Sequence, residues 1–152
     1  MTPEFARPEA AHPPVPDRRG LFLRYWLPVL LYLGLIFGVS SIHGSAVPDF
    51  FPNVDKLEHL LEYSLFGLLA GRAIRFTLGP AKHRLAAALG TIAFGAVVGA
   101  LDELYQKGVP GRHSDPNDWM MDVAAVSIAV LLTQLVRTRS IGTRANGGAT
   151  SR

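Results

Sequence analysis

Four apolar stretches recur along the chain, separated by polar connections rich in proline and glycine, and their spacing predicts four helices. The first, Tyr25 to Ile42, is 18 residues without a charge, which is enough to cross a bilayer with little to spare. The second opens at Asp55-Lys56 and closes at Arg75, and its uncharged run, Tyr63 to Gly71, is too short to span alone. At about 100° per residue, Asp55, His59, Glu62, Tyr63 and Phe66 share one arc of that helix, and Leu57, Leu60, Leu61 and Leu68 cover the opposite arc. The third, Leu85 to Leu101, places Gly95 and Gly99 one turn apart, on an arc that Asp102, Glu103 and Gln106 continue. The fourth, Asp118 to Val136, carries Asp118, Asp122, Ala125 and Ala129 on one arc. Pro116 marks its entry, and Asn117 or Asp118 is expected to cap it. The pattern predicts an all-α fold, a four-helix transmembrane bundle.

The ends differ from the middle. Residues 1–20 hold five prolines and no apolar period, and residues 140–152 are rich in Gly and Arg; both read as disordered tails around a domain at 21–139. A cleaved signal peptide ending near Gly44-Ser45-Ala46 is the rival reading of the first segment, ranked second because the apolar run exceeds a usual signal core. Composition agrees with a membrane protein diluted by polar ends, with 49% apolar residues, a mean hydropathy of +0.23 and only 18% charged residues. Without cysteine, disulfides and thiolate metal sites are excluded. The net charge of +3 comes with no basic patch or aromatic-interleaved run, so nucleic acid is not an expected partner.

The basic residues instead sort by helix end. Twelve of the fifteen Lys and Arg lie before the first segment, between the second and third, or after the fourth; only Lys56, Lys107 and Arg112 lie in the opposite loops. That alternation predicts four crossings with both termini cytoplasmic, and a soluble helical protein has no reason to show it. It also gathers Asp55, Lys56, His59, Glu62, Tyr63, Glu103, Gln106, Arg112, Asp118 and Asp122 at the outer helix ends. Polar faces within a bilayer turn toward one another, so a shared, water-accessible pocket on the outer side is expected.

Three kinds of chemistry fit those residues. An ion-pair network is the plainest: Arg112 with Asp55, Asp118 or Glu103, and Lys56 with Glu62 or Asp122. Acid–base catalysis on a lipid-linked substrate is a second, with His59, Glu103 and Asp118 as the candidate catalytic groups and Arg112 as a fork for phosphate or carboxylate. A hard-cation site using His59, Glu62 and the acids is a third. It ranks lower because one histidine is well placed and the acids already have Lys56 and Arg112 as partners, so no metal or cofactor is expected. Across the set, five acids (Asp55, Glu62, Glu103, Asp118, Asp122) still outnumber two bases, a surplus suited to a cationic or amine-bearing ligand. His113-Ser114-Asp115 reads as loop and cap, and a Gly95/Gly99 face admits another helix closely, within the chain or from a partner.

Asp55-Lys56-x-x-His59-x-x-x-Tyr63, then Glu103-x-x-Gln106, Pro110-Gly111-Arg112 and Asp118, with Ser40-Ser41 ending the first segment, resemble the VanZ-like family of small bacterial membrane proteins. The resemblance covers Tyr25 to Val136. Asp122 departs from it, since the family usually has Asn there and often Gly near Ala125. The resemblance implies a multi-pass protein of the bacterial cytoplasmic membrane that binds or acts on a cell-envelope component such as a cell-wall precursor, with a possible link to teicoplanin-type glycopeptide resistance. The alternatives are a membrane-embedded hydrolase or transferase, and a structural partner of a membrane complex.

Overall fold

The computed structural model describes residues 17–42, 54–79, 83–112 and 114–147, the side chains of residues 18, 54–55 and 137–147 excepted. Four helices account for nearly all of it: α1 (Arg18–Ser40), α2 (Val54–Leu78), α3 (Arg84–Gln106) and α4 (Pro116–Gly147). There is no strand among the described residues. The expected tail through residue 16, the Gly44-Ser45-Ala46 stretch, His113 and the side chain of Asp55 lie outside the described part.

The helices are longer than their apolar runs because polar residues extend each end. α1 starts at Arg18, where the Asp17 carboxylate accepts from the backbone N–H of Arg19 at 3.0 Å and of Gly20 at 3.2 Å. This satisfies donors that a helix start leaves open. α4 continues past Val136 to Gly147, through the arginine-bearing stretch expected to be loose; that stretch has no proline to break it. Its entry is capped from the His113-Ser114-Asp115 string read as loop and cap, two to three residues ahead of the other candidates. Asp115 Oδ1, not Asn117 or Asp118, accepts from the backbone N–H of Asn117 at 2.9 Å, and Pro116 takes the first helical position, where its missing N–H costs nothing.

α2 is the hub, touching the other three helices and most extensively α4, while α1 packs on α2 and to a lesser degree α3. Between apolar helices in lipid, attraction comes from close packing, which favours small residues. A Cβ on Gly67 of α2 would meet Val126 Cα of α4 at 3.1 Å, and one on Gly95 of α3 would meet Val126 Cγ2 at 2.7 Å. Val126 is thus seated between two glycines, with Ala70, Ala125 and Ala129 buried beside it. The Gly95/Gly99 face is occupied by α4 of the same chain.

Contacts fix the two ends of the molecule. At the foot, where α1 and α3 begin and α2 ends, Tyr25 stacks on Phe76 with centroids 4.1 Å apart, Arg72 lies 4.7 Å from the Tyr25 ring, and Trp26 Nε1 donates to Thr77 Oγ1 at 3.0 Å. At the head, where α2 and α4 begin, the chain leaves α1 and α3. Hence α2 and α4 run parallel, and α1 and α3 run against them.

Three helices, Arg19–Ser40, Arg84–Gln106 and Pro116–Val136, are long and apolar enough to cross a membrane. Their outward faces bear Leu27, Leu30, Leu31, Leu35, Val97, Leu101, Leu131 and Leu132, all well exposed. A surface of that kind is far beyond the scattered apolar residues of a water-soluble monomer. α2 is too charged to join the three by composition, yet it follows the same rule more sharply. Its exposed stripe is Leu57, Leu61, Leu65 and Leu68, while His59, Tyr63, Phe66, Ala70 and Ala73 are buried. Leucines outside and a histidine inside invert the order that water imposes.

Candidate functional site

The head of the molecule holds a polar cluster in layers, set by the parallel course of α2 and α4. The outermost layer pairs Lys56 of α2 with α4 and its cap: Lys56 Nζ donates to Asp118 Oδ1 at 3.1 Å and lies 3.6 Å from Asp115 Oδ2. One turn deeper, His59 Nδ1 and Asp122 Oδ1 are 2.9 Å apart, with His59 6% exposed and Asp122 fully buried. Below them Tyr63 lies parallel to the His59 ring at 6.2 Å and contacts Phe66, which closes the floor with apolar surface. Three and four residues separate these positions on α2, so each layer falls on the same helix face.

α3 supplies the third wall. Asp102, Glu103 and Gln106 are buried at its end, and the glycines before them let α4 come close enough to bring Asp122 alongside. A Cβ at Gly99 would sit 2.8 Å from Asp122 Oδ2 and 3.2 Å from Trp119 Cδ1, so this glycine makes room for the aspartate itself. Trp119 Nε1 donates to the Ala96 carbonyl at 2.9 Å and holds the start of α4 on α3. Glu103 Oε2 accepts from the backbone N–H of Asp115 at 2.9 Å, tying α3 to the α4 cap. Gln106 Nε2 donates to Asp102 Oδ2 at 3.2 Å and to Ser40 Oγ at 3.4 Å, which connects α3 to α1.

Between α3 and α4 a tight turn runs through Val109-Pro110-Gly111-Arg112, where Arg112 N–H donates to the Val109 carbonyl at 3.1 Å and Gly111 has φ of +77°. Proline then glycine at the two central positions is the signature of a type II turn, whose third residue needs that positive φ. The turn directs Arg112 at α1. Arg112 Nε donates to the Ile42 carbonyl at 3.2 Å and Nη2 to the Val39 carbonyl at 3.2 Å. A cation on the last carbonyls of a helix is favoured by the helix dipole. Nearby, Ser41 Oγ bonds Tyr105 OH at 2.8 Å, which fastens the same end of α1 to α3.

The structure therefore brings together most of the residues expected from sequence but pairs them differently. Arg112 was expected on an acid and instead caps α1. Lys56 was expected on Glu62 or Asp122 and instead meets Asp118 and Asp115. Asp122 takes His59. Glu62 is half-buried on α2, and its backbone carbonyl accepts from Tyr32 OH at 3.2 Å. Asp102 and Asp115 belong to the cluster although only Asp102 lay on a recognised polar arc. That arc puts Asp102 one turn before Gln106, the spacing of their hydrogen bond. The cluster is also enclosed: Asp102, Glu103, Asp118 and Asp122 are each buried, where a water-accessible pocket was expected.

Three carboxylate oxygens in this enclosure, Asp102 Oδ1, Glu103 Oε1 and Asp122 Oδ2, have no hydrogen-bond partner, and neither does Tyr63 OH. Leaving a charged acceptor buried and unsatisfied costs more than the roughly 1–3 kcal/mol of a neutral one. One donor atom from each of His59, Glu103 and Asp122 lies within 4.8 Å of the others. Outside the helices, the Asp115 carboxyl is held below the usual carboxylate range, first by the Asn117 backbone N–H and then by Lys56 and the Asn117 side chain.

No family model, curated protein or solved structure matches this chain. The assignment of function accordingly rests on the site.

Proposed function

We propose that the chain is a multi-pass protein of the bacterial cytoplasmic membrane, with four crossings and both termini cytoplasmic, whose head cluster faces outward and binds or acts on a cell-envelope component. The observation that carries this reading is the burial, on three helices at one end, of four acids and a histidine with too few partners. Two pairs, Lys56–Asp118 and His59–Asp122, do lock α2 to α4. A lock alone gives no reason to bury the remaining oxygens, because apolar side chains of similar size hold helices at least as well. Ionisable groups inside a membrane domain are retained for function by default.

Four crossings with this orientation are supported by the inverted face of α2 and by the sequence, which puts twelve of the fifteen basic residues near the start of α1, around the α2–α3 connection or after Val136. The resemblance to the VanZ-like family suggests the substrate class: His59, Tyr63, Glu103, Gln106, Arg112 and Asp118 all fall at the head, and a cell-envelope component such as a cell-wall precursor is what that resemblance implies.

Two measurements test the reading. A reporter fused after Arg139 should be cytoplasmic, and one inserted near Lys107 should be external; the reverse assignment removes the outward orientation. Glu103→Gln and His59→Gln proteins that insert at wild-type level should lose the effect of the wild-type chain on teicoplanin susceptibility or cell-wall precursor turnover. Retention of that effect in both variants would return the cluster to a purely structural role.

A further inference from the structure

The sequence argued against a metal because Lys56 and Arg112 stood ready to neutralise the acids. The structure places Arg112 on the carbonyls of α1 and Lys56 at the outermost layer, on Asp118 and Asp115. Glu103 and Asp122 are left one layer deeper, each with a buried oxygen that has no partner. Their neighbour there is His59, and the three residues come from three different helices.

We propose that His59, Glu103 and Asp122 bind one divalent transition-metal ion of the zinc or manganese class. This deepens the reading of the head cluster as a functional site and rests on it. The donor set selects the ion. One imidazole with carboxylates, and no thiolate, suits zinc and manganese; copper(I) favours sulfur, and magnesium or calcium favours oxygen alone. The spacing is close to what an ion requires. Bonds of about 2.0–2.2 Å place donor atoms roughly 3–4.4 Å apart, so a largest separation of 4.8 Å closes with small side-chain rotations. Glu103 is supported as ligands usually are, through the Asp115 N–H at 2.9 Å, and the missing side chain of Gly99 leaves room for the Asp122 carboxylate. Metal binding requires a neutral imidazole and ionised carboxylates, so any proton held between His59 and Asp122 leaves to solvent as the ion enters. Three protein ligands leave further coordination positions open, as in sites that take an exogenous oxygen ligand. A phosphate or carboxylate of an envelope component is the class of group that such a position accepts.

The test uses the full chain, purified in detergent and stripped of metal with a chelator. Zinc chloride and manganese chloride are titrated separately by calorimetry, with the unfolding midpoint followed in parallel. The expected result is saturable binding of one ion per chain for at least one of the two metals, with a raised midpoint. Glu103→Gln and Asp122→Asn, both close in shape to the native residues, should weaken binding by more than about 100-fold, beyond the loss of an outer-shell partner. Thr133→Val at the foot should bind as wild type. Should either cluster variant fail to fold, cobalt(II) added to the wild-type chain decides the matter through its absorption bands, which should show an imidazole-containing site. Folded wild-type protein that binds neither ion, or binding unchanged in both variants, overturns the proposal. An ion site whose loss leaves every envelope effect intact removes the functional reading and keeps the site. Loss of the envelope effect in a chain that binds no ion does the opposite.

Discussion

Gly99 shows most directly how single residues set the cluster. Any Cβ there would fall 2.8 Å from Asp122 Oδ2, so Gly99→Ala must push the aspartate or α4 aside. We expect a loss of about 1–3 kcal/mol, the usual cost of overpacking, measured as a lowered unfolding midpoint in detergent. Arg112→Gln should lower stability by about 1 kcal/mol through the loss of charged donors to Val39 and Ile42, and should leave metal binding in place. A reading in which Arg112 neutralises the acids predicts the reverse, a strong effect on binding. The depressed carboxyl of Asp115 fixes a pH window with a definite sign. Its cap contribution to α4 is present above the ordinary carboxylate value, about 3.9, and is lost as pH falls below it, so the protection of amides at the start of α4, measured against their intrinsic exchange rate, should be flat from pH 8 to 5 and fall only in stronger acid. At this scale the sequence was legible in kind but not in pairing. The types and spacings of His59, Glu103, Asp118 and Asp122 announce a polar cluster, but which base meets which acid depends on a turn at Pro110-Gly111 that aims Arg112 across to another helix.

Among the elements, α2 packs most extensively against the others. Its arcs were readable from periodicity, and the structure keeps most of them: His59, Tyr63 and Phe66 inward, Leu57, Leu61 and Leu68 outward, with Leu60 turned part-way against the core. What periodicity could not say is which arc meets the protein, because the same pattern with the leucines inside describes a soluble helix. The three-dimensional contacts decide it, since α4 and α3 cover the polar arc. Leu65→Lys, on the outward stripe near the middle of the helix, is therefore a sharp test. In lipid it should cost on the order of 2.5–3.5 kcal/mol and reduce membrane-integrated protein, whereas in water an exposed lysine there would change stability by less than about 0.5 kcal/mol. The yield of alkali-resistant membrane protein separates the two. The helix ends were less legible than the middles, because capping by Asp17 and Asp115 reaches beyond the last apolar residue.

For the molecule as a whole, the decisive property is that the two charged pairs between α2 and α4 join distant parts of the chain. Lys56 and Asp118 are 62 residues apart, and His59 and Asp122 are 63 apart. A ribosome adding about 5–20 residues per second delivers α4 on the order of several seconds after α2. During that interval the polar arc of α2 has only α1 and then α3 beside it, and its partner helix does not yet exist. The order of synthesis thus becomes a checkpoint: a chain ending before Pro116 should enter the membrane poorly and be cleared faster than the full-length chain, as pulse-chase labelling would show. The parallel pairing of α2 with α4 makes the last helix to emerge the one that licenses the second to stay.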